Sequence, residues 1–278
     1  PALTYLKEYG FSVVRLPRAD IPPGLLLERD GRDLIDLGGL ETVFVAGSTP
    51  RPEVSVDEPA SQLSGHIRTT LSIGLGLSLL EQFLRAFGGS SAGLEAQYQQ
   101  ARSLTFEFDE VFTDAIEPAA LEQFLSQADV DPRSVNARRL LDEDRVYVVT
   151  RTLKAKRFLL EGQRDGRTGV QVNLPAIRDI VGGSVTVGTE GQSKSRLTFD
   201  GGQRLVFGLQ AVRLMYEGGR FVAYKSLPPG SAAKRAKKGA KGAKGAKGAK
   251  GGKAPRPAKV GSEAEYLVAE GAFLTIGK

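Results

Sequence analysis

Apolar and polar residues alternate with almost no error through IRTTLSIGLGLSL, residues 67–79. Ile67, Leu71, Ile73, Leu75, Leu77 and Leu79 share one face with Thr69, while Arg68, Thr70, Ser72, Gly74, Gly76 and Ser78 share the other. A period of two predicts a strand. The stretch is longer than the roughly 9–11 residues a tilted strand needs to cross a bilayer. Its serine, threonine and glycine face carries little charge, which suits a water-filled lumen or a sheet that must rearrange. The two glycines weaken any single resting structure. The plainer reading is a half-buried strand of a soluble sheet.

The same periodicities lay out the rest of the chain. ALTYLKEY (residues 2–9) has Leu3, Leu6 and Tyr9 at helical spacing, and FSVVRL then predicts a strand ended by Pro17. A short strand is expected at TVFVA (42–46), followed by a loop holding Pro50, Pro52 and Pro59. LLEQFLRAF (79–87) predicts a helix stopped by Gly88-Gly89, and a polar helix is expected over residues 92–102. Pro118 opens a helix through Leu121, Phe124 and Leu125, and Asp131-Pro132 starts another to about Leu141. A short helix begins near Pro175 and ends at Gly182-Gly183.

Alternating runs fill the gaps. LTFEFD places Leu104, Phe106 and Phe108 on one face, and RVYVVTRTLKAKRFLLEG (145–162) is long and β-branched in its first half. SVTVG, RLTF, RLVFGLQAVRLMY and FVAYKSL follow, with Asp200-Gly201-Gly202 and Gly218-Gly219 as hairpin signals. The predicted fold class is α+β, a twisted antiparallel sheet with inserted helices.

The charge balance changes the picture at one end. The formal charge is +6, but eleven basic and no acidic residues lie between Lys234 and Lys259, so the rest of the chain is net negative. Within that segment KKGAKGAKGAKGAKGGK places Lys237, Lys238, Lys241, Lys244, Lys247, Lys250 and Lys253 in a Gly/Ala-rich leash. Three parts follow: a body (1–230), a flexible linker (231–262) and a terminal peptide (263–278). In the peptide Tyr266, Leu267, Val268, Phe273, Leu274 and Ile276 offer apolar surface. Ser262 with Glu265 resembles a capping box, so EAEYLVAE begins as a helix and AFLTI continues as a strand in this reading.

A 32-residue flexible chain spans roughly 30 Å, against a radius of gyration of about 17 Å for the body. The leash therefore carries the peptide around one face of the body. Tethering supplies an effective concentration in the millimolar range. A peptide with a free affinity of about 10 μM would be almost fully docked while tethered and mostly lost once cut. Glycine, alanine and lysine also keep the leash open to a protease.

Catalytic chemistry is not legible. There is one histidine, His66, and no cysteine, so there is no disulfide framework, thiol nucleophile or cysteine metal site. No G-x-S-x-G elbow, Walker lysine loop or H-E-x-x-H motif occurs. Gly74-Leu75-Gly76 lacks the third glycine and the acidic partner of a dinucleotide fingerprint. No metal or cofactor is expected. No membrane helix or signal peptide is predicted, and a soluble intracellular resting form is the expectation. In RTLKAKRFLLEGQRDGR (151–167), Lys154, Lys156 and Arg157 stand beside Phe158, Leu159 and Leu160. That mix suits anionic lipid headgroups, each basic residue contributing about 1 kcal/mol; the plainer reading is a charged hairpin in solvent.

YLKEYGFSVVRLPRADIPPGLLL (5–27), opening a body of this length before a linker and a small terminal plug, resembles the bacterial gasdermins. The resemblance implies a gasdermin N-domain-like fold, monomeric and cytoplasmic while latent. It also implies that an activating protease cuts the linker and frees the body. The body then meets membrane lipids and self-associates in the inner (cell) membrane as a large β-sheet pore, killing the cell as an antiphage defence. Family members carry an acylated cysteine near the start; here that acyl site is expected ahead of Pro1. The rival reading is a nucleic-acid-binding protein that uses the lysine repeat as a polycation. The net-negative body and the apolar peptide speak against it, so no nucleic-acid partner is expected. A plain β-rich interaction module is the third.

Overall fold

The computed structural model describes residues 10–30, 33–45, 47–60, 67–164, 169–191, 195–224 and 276–277. The expected helix at 2–9, His66, the linker and residues 263–275 lie outside them. Among the described residues twelve strands join one sheet, and all its pairings but one are antiparallel. The expected α+β class holds.

The spine is a ribbon of two long strands, β10 (Val146–Gln163) and β12 (Arg196–Glu217), paired along their length. Shorter strands flank it. β2 (Leu25–Asp30), β8 (Phe112–Ile116) and β7 (Ser103–Asp109) pair with successive stretches of β10. β13 (Arg220–Tyr224), β1 (Ser12–Arg18) and β11 (Val185–Thr189) do the same along β12. An outer row holds β3 (Asp33–Gly39) on β2, β5 (Val54–Pro59) on β8 and β6 (Arg68–Ser72) on β7. The exceptional parallel pair sets β14 (Ile276–Gly277) on the outer edge of β3.

Helices cover the faces. α1 (Leu40–Val43), α4 (Pro118–Gln127) and α5 (Val135–Asp142) lie over one end, which we call proximal. α2 (Ile73–Ala86), α3 (Leu94–Gln97) and α6 (Leu174–Val181) lie over the distal end. A small sheet joins β4 (Phe44–Val45) to β9 (Asp129–Val130). Pro118 stands in the first turn of α4, where a missing N–H costs nothing. The Asn173 carboxamide oxygen accepts from the Ala176 N–H at 3.3 Å at the start of α6, and Gly182 ends that helix at φ +85°.

Four expectations give way to tertiary interactions. The loop around Pro52 and Pro59 contains β5, whose six residues are all exposed. It is held by backbone pairing with β8, so no apolar pattern marks it, and Pro59 ends an edge strand where its missing donor is harmless. Residues 92–102 form only the short α3, because Tyr98 turns into the core and the Arg102 N–H reaches the Gln163 carbonyl at 2.8 Å. In the predicted strand at 42–46, Thr42 Oγ1 donates to the Gly39 carbonyl at 2.7 Å and closes the one turn of α1 before β4. Asp200-Gly201-Gly202 is a bulge within β12 rather than a hairpin turn: β12 inserts extra residues between the Ala155↔Leu205 and Arg157↔Asp200 pairs. Gly201 is there because any Cβ would overlap the Phe87 ring.

Candidate functional site

On the inner face of the distal half, Leu104, Phe106 and Phe108 of β7 meet Phe158 and Leu160 of β10 and Leu197 and Phe199 of β12. The helix α2 closes this face. Phe83 reaches Phe158 and Phe108 with ring centroids 5.0 and 5.6 Å away, while Phe108 and Phe207 stack at 4.0 Å. A Cβ on Gly76 would stand 2.8 Å from Leu104, so glycine there lets α2 approach the sheet.

The outer face of the same strands is polar. Arg68 of β6 pairs with Glu161 of β10 at 3.5 Å. Arg196 of β12 pairs with Glu107 of β7 and, at 2.6 Å, with Glu190. Thr70 and Thr105 share a hydrogen bond at 2.9 Å. The distal sheet is therefore amphipathic as it stands, with an aromatic face under helices and a largely polar, ion-paired outer face.

This placement corrects the strand expected over residues 67–79. Residues 68–72 form β6, with Thr69 and Leu71 turned inward, but Ile73 begins α2. Ile67 and Leu79 are buried, Ile73 and Leu77 pack partly against the core, and Leu75 is 45% exposed. Gly76, Leu79, Leu80, Phe83 and Leu84 recur at helical spacing, so the periodicity of 79–87 extends backward through the alternating stretch. Each interior glycine costs a helix about 1 kcal/mol. Packing on the aromatic face, rather than propensity, holds the first turns of α2.

The three basic headgroup candidates divide. Lys154 is not free: its ammonium lies 2.7 Å from both Asp57 Oδ1 and Asp114 Oδ1, and its side chain is 11% exposed. Arg157 donates to Asp200 Oδ2 from Nε at 3.1 Å and Nη2 at 3.0 Å, and those bonds, ahead of the nearby charges, raise its pKa. Lys156 is half-buried and has no ion-pair partner among the described residues. A positive run in sequence thus becomes a set of strand-to-strand ties, because β-pairing brings acidic residues from β5, β7, β8 and β12 alongside. Those partners carried no signal of their own: Asp57 lies in an exposed Asp-Glu pair and Asp114 is a single carboxylate between Thr113 and Ala115.

The terminal peptide is described only at its end. Ile276 and Gly277 pair in parallel with Leu34 and Ile35 of β3. Ile276 is 4% exposed and joins a core with Val14, Ile21, Leu25, Leu27, Tyr147 and Leu209. Tyr266, Leu267, Val268, Phe273 and Leu274, and the seven linker lysines, lie outside the described residues. Among the described residues no group of three or more His, Cys, Asp and Glu is placed to hold a metal ion, and no helix is long and apolar enough to cross a membrane.

An antiparallel ribbon, helix-covered along one distal face and paired at its β3 edge with Ile276–Gly277, is a gasdermin-type fold. The solved structure of a bacterial gasdermin from Bradyrhizobium tropiciagri matches with a TM-score of 0.56 at 18% identity, over 79% of this chain and 88% of that one. The model of the Bacterial Gasdermin Family matches residues 14–221. Proteins described as gasdermin bGSDM are similar too. One from a Desulfuromonadales bacterium is 42% identical over 85% of this chain and 89% of its own length. Another from Lysobacter enzymogenes is 37% identical over 85% and 88%. The chain belongs to the bacterial gasdermin family.

Proposed function

We propose that this chain is a latent pore-former held inactive by its own C-terminal peptide. The observation that carries the reading is the Ile276–Gly277 strand on the edge of β3. An uncapped strand edge presents a row of free N–H and C=O groups, a template for another chain. While the peptide stays tethered, that edge is occupied by mass action; a protease that cuts the basic linker, residues 231–262, lets it leave.

The amphipathic distal half supports the second part. A strand that spans a bilayer needs one apolar and one polar face, and β6, β7, β10, β11 and β12 carry both already. The aromatic face is masked by α2, whose first turns alternate in the strand pattern, so residues 67–79 are compatible with both states. We infer that freed bodies meet lipid, displace α2, extend these strands and assemble as a ring in the cell membrane. Lys156 is the available headgroup contact. The latent chain is monomeric and cytoplasmic in this account, it is not an enzyme, and the antiphage, cell-killing role follows the family resemblance.

The test is expression. A chain ending at Pro229 is toxic to cells and the full chain is tolerated, while Phe273→Asp with Leu274→Asp in the full chain partly mimics truncation. Equal tolerance of truncated and full chains removes the inhibition from the account.

A further inference from the structure

The ribbon is not continuous. Its register shifts between Val149 and Arg151, between Leu153 and Lys154, and again between Ala155 and Arg157, the last opposite the Asp200-Gly201-Gly202 bulge. These bulges form a seam between the proximal and distal halves, and charged side chains gather on it. Lys154 of β10 lies between Asp57 of β5 and Asp114 of β8. Asp114 Oδ1 also accepts from the Asp57 backbone N–H at 2.8 Å. Arg204, on the looped-out stretch of β12, holds Asp57 Oδ2 at 3.2 Å and lies 3.7 Å over the Phe112 ring. Two cations and two carboxylates from four strands thus neutralise one another.

The backbone around this cluster is strained. Asp57 has φ +57° and Glu110, in the β7–β8 turn beside Arg157, has φ +51°. Such values are uncommon for non-glycine residues, less so for aspartate than for glutamate, and surrounding contacts help to hold them. For Asp57 the holding contacts are the ones just named. Around it β5 is otherwise exposed throughout, so the ion pairs substitute for an apolar anchor. Lys154 and Asp114 are nearly buried, at 11% and 13% of side-chain exposure, which makes a lone survivor of the pair costly.

We propose that Asp57, Asp114, Lys154 and Arg204 form an ion-pair lock across the seam of the ribbon. The lock keeps β5 and β8 on β10, and its opening sets how fast the distal half rearranges once the terminal peptide has left. This second clause rests on the pore-forming reading; the first does not.

The experiment uses the full chain as wild type, Lys154→Met and Asp114→Asn, with Arg139→Met, which breaks an exposed pair to Glu143, as control. Hydrogen exchange on the uncut proteins is read by mass spectrometry at residues 54–59, 112–116 and 146–149. Amides of β5 and β8 should exchange faster by about tenfold or more in both lock variants. They should be unchanged in Arg139→Met, and residues 146–149 should stay protected throughout. Wild-type protection of β5 and β8 in a folded Lys154→Met protein overturns the lock. If Lys154→Met does not fold, Asp57→Asn, at a more exposed member, decides in the same way. The proteins are then cut with trypsin and mixed with dye-loaded anionic vesicles, where the lock variants should release dye several-fold faster. Unchanged release with faster exchange overturns the rate-setting role. If cut wild type releases no dye, the pore reading fails and the exchange result still decides the lock.

Discussion

At the proximal end of the ribbon, Val146, Tyr147, Val148 and Val149 are all buried, alternately in two different cores. Val146 and Val148 face α4 and α5, whereas Tyr147 and Val149 face a layer with Val14, Ile21 and Ile276. At the distal end of the same strand, Phe158 and Leu160 are buried while Arg157 and Glu161 reach toward solvent and neighbouring charges. One half of the sheet is covered on both faces, by α4 and α5 on one and by the layer of Val14, Ile21 and Ile276 on the other. The other is covered on one face only, by α2 with glycines in its first turns together with α3 and α6, and its second face is mostly polar. A sheet region with one removable cover can exchange that cover for lipid without unfolding its partner; a doubly covered region cannot. In the pore-forming reading, this division makes the proximal half the scaffold and the distal half the part that changes.

The sharpest way to break that comparison is to place the same charge on the second face of each half. Val149→Lys buries an unpaired ammonium in the proximal core and should abolish folding, a loss of about 4 kcal/mol or more. Thr186→Lys, on the exposed face of β11, should change stability by less than about 0.5 kcal/mol. Similar melting curves for the two proteins would erase the distinction.

Next in size is Leu75→Arg. Leu75 is exposed on α2, so the uncut variant should melt close to wild type. If residues 67–79 become a lipid-facing strand, the arginine costs about 2–4 kcal/mol in each protomer, and the cut protein should fail to release dye. Ile73→Arg should do the same but with a folding cost, because Ile73 packs against the core. The polar-face Ser72→Arg should be far milder. A folded Leu75→Arg protein that leaks like wild type takes this segment out of the membrane.

A smaller effect is expected at the glycines of α2. Nothing lies within 4 Å of a Cβ placed on Gly74, so Gly74→Ala should favour the helix by about 0.5–1 kcal/mol. It should raise the melting temperature slightly and slow release after cleavage. Gly76→Ala meets Leu104 and should lower the melting temperature instead.

The smallest is a pH effect at the seam. The hydrogen bond from Lys154 leads the causes that hold the Asp57 carboxyl below its ordinary 3.8, so its contribution to stability is present above that value and lost as pH falls through the folded-state pKa. The melting-temperature gap between wild type and Lys154→Met should be steady from about pH 5 to 8 and shrink below about pH 4. A gap that grows in acid contradicts the assignment.

Much of this was legible in the chain. Strand β7 announces its buried face through Leu104, Phe106 and Phe108, and α4 through Pro118, Leu121 and Phe124, because burial on one side writes a period into the residues. Three things were hidden. β5 is held by backbone pairing and four charges, which leave no apolar trace. Residues 73–79 satisfy two periods at once, and only the position of Phe83 over Phe108 and Phe158 decides between them. The basic run at 154–157 looked free because its carboxylate partners come from β5, β7, β8 and β12, distant in sequence.

The central claim is that the terminal peptide alone keeps the body from acting on membranes. It is tested most directly by dye release from anionic liposomes with one preparation measured before trypsin, after trypsin, and after trypsin with synthetic peptide 263–278 added to about millimolar, the concentration a tether supplies. The account predicts no release from the intact chain, rapid release once residues 231–262 are cut, and suppression of that release by the added peptide. Release from the intact chain at the rate of the cut one, or no release from a cleanly cut body, would contradict it.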